Sequence, residues 1–175
     1  PPRASIRRQR QMCIRDRYQS EGVERLPRSS EIPFVALPVD VFTAIREMLA
    51  EYGLGDKDEE FFKDLGVRCG KAVVQRTGFK WESDDQLADA LVSLWAEVGI
   101  GRLTAKDVDK GGVAAEVTDT VESLALGNVG DPSCFFTRGY IAGVVSELSG
   151  REHMTVEDQC VCEGHQKCVF TVIPI

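Results

Sequence analysis

The feature that most constrains the fold is a cysteine-rich stretch close to the C-terminus, EDQCVCEGHQKC, which covers residues 157–168. Three of the six cysteines of this 175-residue chain lie there, beside acidic residues and a histidine. Such a cluster is a metal site, a disulfide, or a group of thiols buried as small apolar side chains. The N-terminus has no hydrophobic stretch of signal-peptide length, so we expect a cytoplasmic protein, in which a metal site is favoured over a disulfide.

The first 17 residues differ in composition from the rest of the chain. They contain six arginines and one aspartate, and removing them leaves 15 basic and 27 acidic residues, a net charge near −12. A basic arm and an arginine-rich transit peptide are two interpretations of this segment. The sequence QMCIRDR, however, resembles the conceptual translation of a sequencing-library adapter, so we predict that residues 1–17, including Cys13, are not native. We divide the remainder into an extended N-terminal segment, 18–37, and a single domain, 38–175.

Composition excludes two classes of partner for that domain. Its acidic balance disfavours binding to the phosphates of a nucleic acid. No apolar run approaches the roughly 18 residues that are needed to cross a bilayer, so we expect no membrane span.

Hydrophobic periodicity predicts four helices and two hairpins. Apolar residues recur at helical spacing in four segments, and short alternating stretches flank the turn sequences DKGG and EGHQ. The predicted helices cover 41–53, 56–78, 83–99 and 131–150, and the predicted turns cover 109–112 and 163–166. Ser83 and Gln86 have capping-box spacing, and Asp131 is expected to cap the last helix with Pro132 in its first turn. This order predicts an α+β fold with helices packed on an antiparallel β-sheet.

The last hairpin and the helix before it offer six side chains that can bind a metal. Thiolate, imidazole and carboxylate are the ligands of zinc, and four of them close a tetrahedral structural site. The candidates are Cys134, Glu157, Cys160, Cys162, His165 and Cys168. In a regular strand Glu157 and Cys160 point to opposite faces, so both reach one ion only across a bulge or bend. Cys160 and Cys162 share one face, which favours that pair instead, so the spacing leaves the choice of four open.

Two motifs resemble those of the 4-vinyl reductase domain family. The first is C-x4-G-Y-x-x-G, at Cys134, Gly139, Tyr140 and Gly143, and the second is E-x2-C-x7-C, at Glu157, Cys160 and Cys168. In sensor members of that family, zinc is held by three cysteines and one glutamate at these separations. The resemblance therefore implies a zinc-bound C-terminal hairpin with the ligands Cys134, Glu157, Cys160 and Cys168, and it leaves Cys162 and His165 as bystanders. The stretch TDTVESLAL is similar to the strand that precedes the family's helix.

The resemblance also implies a function, because the family fold holds small apolar molecules and binds partners. The aromatic residues that could line a ligand pocket are Phe61, Phe62, Trp95, Phe135, Phe136 and Tyr140, and the alternative for each is ordinary core packing. Phenol sensors use a pocket histidine, whereas His153 and His165 both lie in the zinc segment, which argues against phenol as the ligand. We expect a zinc-stabilised domain that binds a small hydrophobic molecule, has a sensory or accessory role, signals through a separate protein partner and forms a homodimer, as is common in the family.

Two catalytic interpretations compete with this one. A 4-vinyl reductase or accessory factor of bacteriochlorophyll synthesis would act on a tetrapyrrole, but the chain has no G-x-G-x-x-G after a strand, no flavin signature and no iron–sulfur cysteine run, which disfavours an autonomous enzyme. A catalytic cysteine would need an exposed thiolate beside a histidine, and Cys162 with His165 is the candidate pair. A disulfide between Cys160 and Cys168 would need an oxidising compartment.

Overall fold

The computed structural model describes residues 37–77, 86–108 and 111–175. The predicted adapter-derived segment, most of the segment 18–37, Ser83 of the capping box and the first two residues of the DKGG turn lie outside the described residues. The helices are α1 (Val41–Glu51), α2 (Asp58–Thr77), α3 (Leu87–Val98), α4 (Val121–Leu126) and α5 (Phe135–Ser149). The strands are β1 (Arg102–Val108), β2 (Gly112–Thr118), β3 (His153–Gln159) and β4 (Cys168–Pro174), and short 3-10 helices cover Gly55–Lys57 and Val161–Glu163.

The four strands form one antiparallel sheet in the order β1-β2-β4-β3. This arrangement confirms the predicted α+β class and the C-terminal hairpin, which is made by β3 and β4. Strand β2 lies inside the sheet, and its alternating residues Val113, Ala115 and Val117 are fully buried because one face of the sheet is covered by helices. Helix α3 packs on β1, and helix α5 packs on β3.

Helix α2 packs on α5, and glycines set how closely the two helices approach. Gly66 and Gly70 on α2 face the backbone of α5, and Gly139 and Gly143 on α5 face the backbone of α2. A Cβ atom at any of the four would overlap a backbone carbonyl oxygen of the opposite helix. The crossing therefore requires residues without a side chain.

The region between β2 and α5 differs from the prediction. The stretch VESLAL is helix α4 and not a strand, since Asp119 has a positive φ of 57° and Thr120 accepts a hydrogen bond from Ser123 N as the N-cap. Helix α5 begins at Phe135, with Cys134 at the N-cap position, so Asp131 is not its cap and Pro132 precedes its first turn. No helix within the described ranges is long and apolar enough to cross a membrane.

Candidate metal centre

Four side chains from three places in the fold converge at the buried end of the C-terminal hairpin. Cys134 precedes α5, Glu157 lies on β3, Cys160 is the N-cap of the last 3-10 helix and Cys168 begins β4. One ligand atom from each of these residues lies within 4.8 Å of the other three. These are the four residues that the family resemblance implied.

A register shift in the hairpin brings Glu157 and Cys160 to the same side. The pairing of β3 with β4 is interrupted between Glu157 and Gln159, where two β3 positions are accommodated irregularly against β4. A bulge of this kind re-aims the following side chains. The strand-parity objection to pairing Glu157 with Cys160 is removed by this irregularity.

The spacing of the sulfurs suits a shared ion. Cys134 Sγ lies 3.6 Å from Cys160 Sγ and 3.4 Å from Cys168 Sγ. A tetrahedral zinc with bonds of about 2.3 Å would hold two sulfurs roughly 3.8 Å apart, whereas a disulfide needs a bond of about 2.05 Å. Each of the five cysteines among the described residues is a free thiol, so the proposed Cys160–Cys168 disulfide is not formed in this structure.

Each of the three sulfurs also has one polar neighbour placed to donate to it. Cys162 N donates to Cys160 Sγ over 3.3 Å, and Val161 N donates to Cys168 Sγ over 3.4 Å. Cys134 Sγ lies 3.3 Å from Thr120 Oγ1. Donors directed at sulfur stabilise thiolates, which are the form that binds a metal.

The carboxylate of Glu157 carries the strongest sign that a cation belongs here. Both of its oxygens are buried and have no hydrogen-bond partner. Burial, and then the neighbouring Cys160, raise the pKa of this carboxyl to about 9. An unpartnered buried carboxyl is costly in a folded protein, and a metal ion removes that cost by accepting its lone pairs.

The crowded thiols point the same way. The hydrogen bond to Cys160 raises the pKa of the Cys134 thiol, while Cys160, which accepts it, has its pKa lowered. Three thiolates, one carboxylate and a divalent ion would sum to a charge of −2. The N-terminal end of α5 offsets part of that charge. So does the guanidinium of Arg138, which lowers the pKa of Glu157 against the larger effect of burial. The donor set therefore fits a structural zinc ion.

A second buried carboxyl, Glu122 on α4, holds the start of α5. Its two oxygens accept hydrogen bonds from Thr137 N over 2.7 Å and from Thr137 Oγ1 over 2.6 Å. Cys134 makes no side-chain cap bond at the N-cap position, so Glu122 supplies the acceptor that the helix end requires. Its burial raises the pKa of Glu122. Sequence patterns did not indicate this role, because Glu122 lies outside both family motifs and twelve residues before Cys134.

The predicted bystanders lie beside the cluster and outside the group of four. The side chain of Cys162 is fully buried, and only its backbone N–H is directed at a cluster sulfur. His165 is exposed in the turn. A buried thiol with an exposed imidazole contradicts the catalytic-cysteine hypothesis, which required an exposed thiolate. His153 is buried at the other end of β3, with its ring nitrogens near Arg151 O and Gly111 O.

The six aromatic residues proposed for a pocket lie along α2, α3 and α5. Trp95 and Tyr140 make an edge contact with ring centres 5.6 Å apart, and Phe136 stands 5.9 Å from Tyr140. Phe42, which the prediction missed, bridges Phe136 to Phe62. The hydroxyl of Tyr140 is buried without a hydrogen-bond partner.

The remaining pocket candidates lie near the surface. Phe135 is stacked by the guanidinium groups of Arg46 and Arg138. Phe61 is 41% exposed and borders an open groove of about 470 Å³. The other residues that line this groove are Leu54, Lys57, Glu60, Asp64, Leu65 and Arg68.

Comparison with known proteins gives the family and the fold. The profile of the vinyl-4-reductase (V-4-R) domain matches residues 113–174, which include all four clustered ligands. An uncharacterized protein of Methanocaldococcus jannaschii is 26% identical over 136 residues, which cover 78% of this chain and 75% of the relative. The phenol-responsive sensory domain of the transcription activator PoxR, solved with phenol, superposes with a TM-score of 0.66 at 22% identity, over 81% of this chain and 76% of that one. A vinyl-4-reductase family protein from M. jannaschii gives a TM-score of 0.54 at 17% identity, over 84% and 86% of the two chains. Residues 113–174 thus form a vinyl-4-reductase domain, and the chain belongs to the vinyl-4-reductase, or 4-vinyl reductase, domain family.

Proposed function

We propose that this protein is a small-molecule-binding sensory domain in which one zinc ion fixes the start of helix α5 to the C-terminal hairpin. The proposal depends above all on the convergence of Cys134, Glu157, Cys160 and Cys168 around a carboxylate that has no other partner. The similarity of the fold to the PoxR sensory domain supports a sensory role. A cytoplasmic location is part of the proposal, because three thiolates must stay reduced to hold the ion.

Zinc, when bound, would act as a structural cross-link. Four protein ligands fill a tetrahedral coordination sphere and leave no position for a water or substrate, so this donor set does not favour hydrolytic chemistry. The ligands come from segments that are distant in the chain, and their joint attachment would stabilise the folded hairpin.

We place the ligand at the aromatic cluster formed by Phe62, Trp95, Phe136 and Tyr140. Its rings offer apolar and edge contacts, and the Tyr140 hydroxyl is a buried group whose hydrogen-bonding capacity is unused. Such a site suits a compact, mostly apolar molecule with one polar group. Because the rings touch one another, binding would require side chains to move apart.

Helix α5 offers a physical route from the ligand to the metal centre. It carries Phe136 and Tyr140, and Cys134 is its N-cap residue. A ligand that displaces Tyr140 would shift the helix relative to α2, against which its glycines are closely packed. The metal centre would resist that motion at one end, so movement would be transmitted to surfaces that contact a separate signalling protein.

Two measurements on the purified protein test this proposal. Elemental analysis with native mass spectrometry should find one zinc per chain, and Cys134→Ser and Glu157→Gln should lose it while Cys162→Ala keeps it. A melting screen of aromatics, fatty acids and tetrapyrroles should reveal a stabilising ligand, worth about 2.7 kcal/mol at a concentration 100 times its Kd. A protein without metal whose melting curve no compound moves would refute the proposal.

Tyr140 gives the ligand site its sharpest test. Tyr140→Phe should not lower the melting temperature of the free protein, because the hydroxyl has no partner to lose. It should weaken a hydrogen-bonding ligand about tenfold. Tyr52→Phe is the matched control, since Tyr52 is 74% exposed.

The reductase alternative is distinguished by direct assay. Conversion of a divinyl to a monovinyl tetrapyrrole with an added nicotinamide cofactor would favour it. Binding of a tetrapyrrole without conversion would favour an accessory role in pigment handling.

A homodimer is also part of the proposal. Met48, Tyr52, Leu54 and Phe61 expose apolar surface on α1, on α2 and between them, which a second copy could cover. Native mass should then show twice the chain mass, and Phe61→Glu should yield monomers that still contain zinc. A wild-type protein that remains monomeric at high micromolar concentration would contradict this part.

A further inference from the structure

Thr120 is a fully buried residue between β2 and α4 whose hydroxyl has three polar neighbours. As the N-cap of α4, Thr120 Oγ1 accepts a hydrogen bond from Ser123 N over 3.2 Å. It also lies 2.8 Å from Ser123 Oγ and 3.3 Å from Cys134 Sγ. Neither family motif contains Thr120 or Ser123.

The protons of this cluster can be arranged in two ways. A hydroxyl has one proton to donate, and a thiol can donate one weakly. If Cys134 is a thiol, it donates to Thr120, Thr120 donates to Ser123 Oγ, and Ser123 donates to Thr120 O, which lies 3.0 Å away. A metal-bound Cys134 has no proton, so the hydroxyl of Thr120 can turn to donate to sulfur and accept from Ser123 Oγ instead.

The other two cluster sulfurs receive their donors from the backbone. Both donors, Val161 N and Cys162 N, belong to the 3-10 turn that follows Cys160. Cys134 lies on the other side of the cluster, where α4 packs against α5. A side chain from α4's N-cap therefore stands where the third donor is needed.

We infer that Thr120 is a positioning residue of the metal centre, whose hydroxyl donates to the Cys134 thiolate and completes one hydrogen bond for each of the three sulfurs. The same hydroxyl caps α4, and the next residue but one, Glu122, holds the first turn of α5 through Thr137. Helix α4 thus supports the ligand Cys134 from two directions. Loss of such supporting hydrogen bonds typically weakens metal binding about 10- to 100-fold. The inference rests on the proposed zinc site.

The test measures metal affinity and ligand-field spectra of the full chain at one fixed pH. Zinc affinity is determined by competition with a chromogenic chelator, and cobalt is substituted for zinc to record the sulfur-to-metal charge-transfer bands. Thr120→Val removes the hydroxyl at nearly constant volume, and Thr120→Ser retains it. Thr155→Val is the matched control, because the Thr155 hydroxyl is also buried but has no partner.

We expect Thr120→Val to bind zinc at least tenfold more weakly and to move the cobalt charge-transfer bands to lower energy, as a thiolate without its donor gives up charge more readily. Thr120→Ser should stay within about threefold of the wild type, and Thr155→Val should leave affinity and spectrum unchanged. Equal affinity and identical bands in Thr120→Val and the wild type would overturn the inference.

Ser123→Ala keeps the inference falsifiable if Thr120→Val does not fold. This change removes the competing acceptor Ser123 Oγ and leaves the Thr120 hydroxyl free for sulfur, so zinc binding should be unchanged or tighter. A tenfold loss in Ser123→Ala would refute the assigned direction of the hydrogen bond. A wild-type protein that binds neither zinc nor cobalt would refute the proposed metal site itself, which is a different outcome from a metal-binding protein that is insensitive to Thr120.

Discussion

Replacement of Gly70 by alanine should destabilise the protein, although helix propensity alone predicts the opposite. An added Cβ would overlap Tyr140 O and would lie 2.9 Å from Val144 N, where ordinary contacts begin at 3.4 Å. All of these contacts are with the α5 backbone, which cannot rotate away as a side chain can. Helices α2 and α5 would have to separate by at least about half an ångström, and overpacking of this kind costs about 1–3 kcal/mol.

The net effect follows from two opposing terms. Alanine gains about 1 kcal/mol over glycine inside a helix, so the expected loss of unfolding free energy is about 1–2 kcal/mol when the overlap falls in the upper half of its range. With a urea slope of about 2 kcal/mol per molar, the midpoint of unfolding should fall by roughly 0.5–1 M. The protein should be compared in its metal-loaded form, so that metal loss does not add to the difference.

Gly55→Ala is the control for this experiment. Gly55 lies in the 3-10 helix before α2, and a Cβ there would stand 3.5 Å from its nearest neighbour, an ordinary contact. Its midpoint should stay within about 0.3 M of the wild type. If Gly70→Ala is as stable as the wild type or more stable, the close crossing of α2 and α5 is wrong, and so is the proposed transmission of ligand binding through α5.

Three further outcomes are expected. In the metal-free protein the pKa of Glu157 is about 9, so zinc binding at pH 7 should release one proton more from the wild type than from Glu157→Gln, as calorimetry in buffers of different ionisation enthalpy would show. Burial raises the pKa of Glu122, so its favourable contribution is complete below the unfolded value near 4.5 and is lost as pH rises. Glu122→Gln should therefore gain stability relative to the wild type between pH 5 and pH 8 in urea titrations, and a constant difference would contradict this. Arg46 stacks on Phe62 and Phe135 and pairs with Asp58, and Arg46→Lys should cost about 1 kcal/mol in urea unfolding because an ammonium cannot keep these contacts together; an unchanged midpoint would show that the contacts do not contribute.

Helical periodicity and ligand chemistry could be read from the sequence because they depend on neighbours in the chain. Apolar residues three and four positions apart indicated α1, α2, α3 and α5, since a helix that covers a core must bury one face. The turn-flanked stretches indicated both hairpins, and alternation in β2 indicated its buried face. The start of α5 was misplaced because Asp131 and Pro132 have the composition of a helix start, whereas the acceptor that satisfies the first turn is Glu122.

The choice of four ligands from six candidates required either the family resemblance or the fold. Local spacing favoured Cys160 with Cys162, because a regular strand places them on one face. The irregular pairing between Glu157 and Gln159 reverses that preference, and it depends on how β3 aligns with β4. Thr120 and Glu122 reach Cys134 and Thr137 across fourteen and fifteen positions of chain, a distance over which a single sequence carries no pattern.

The sequence by itself determined the fold class, the identity of the helices, and a supply of thiols and carboxyls at the end of the chain, because periodicity and side-chain chemistry are local properties. Only the tertiary structure decided which of those groups meet, how closely α2 and α5 cross, and which buried hydroxyl faces the cluster. These outcomes follow from strand register and helix packing, in which a shift of one residue or half an ångström changes every contact at the site.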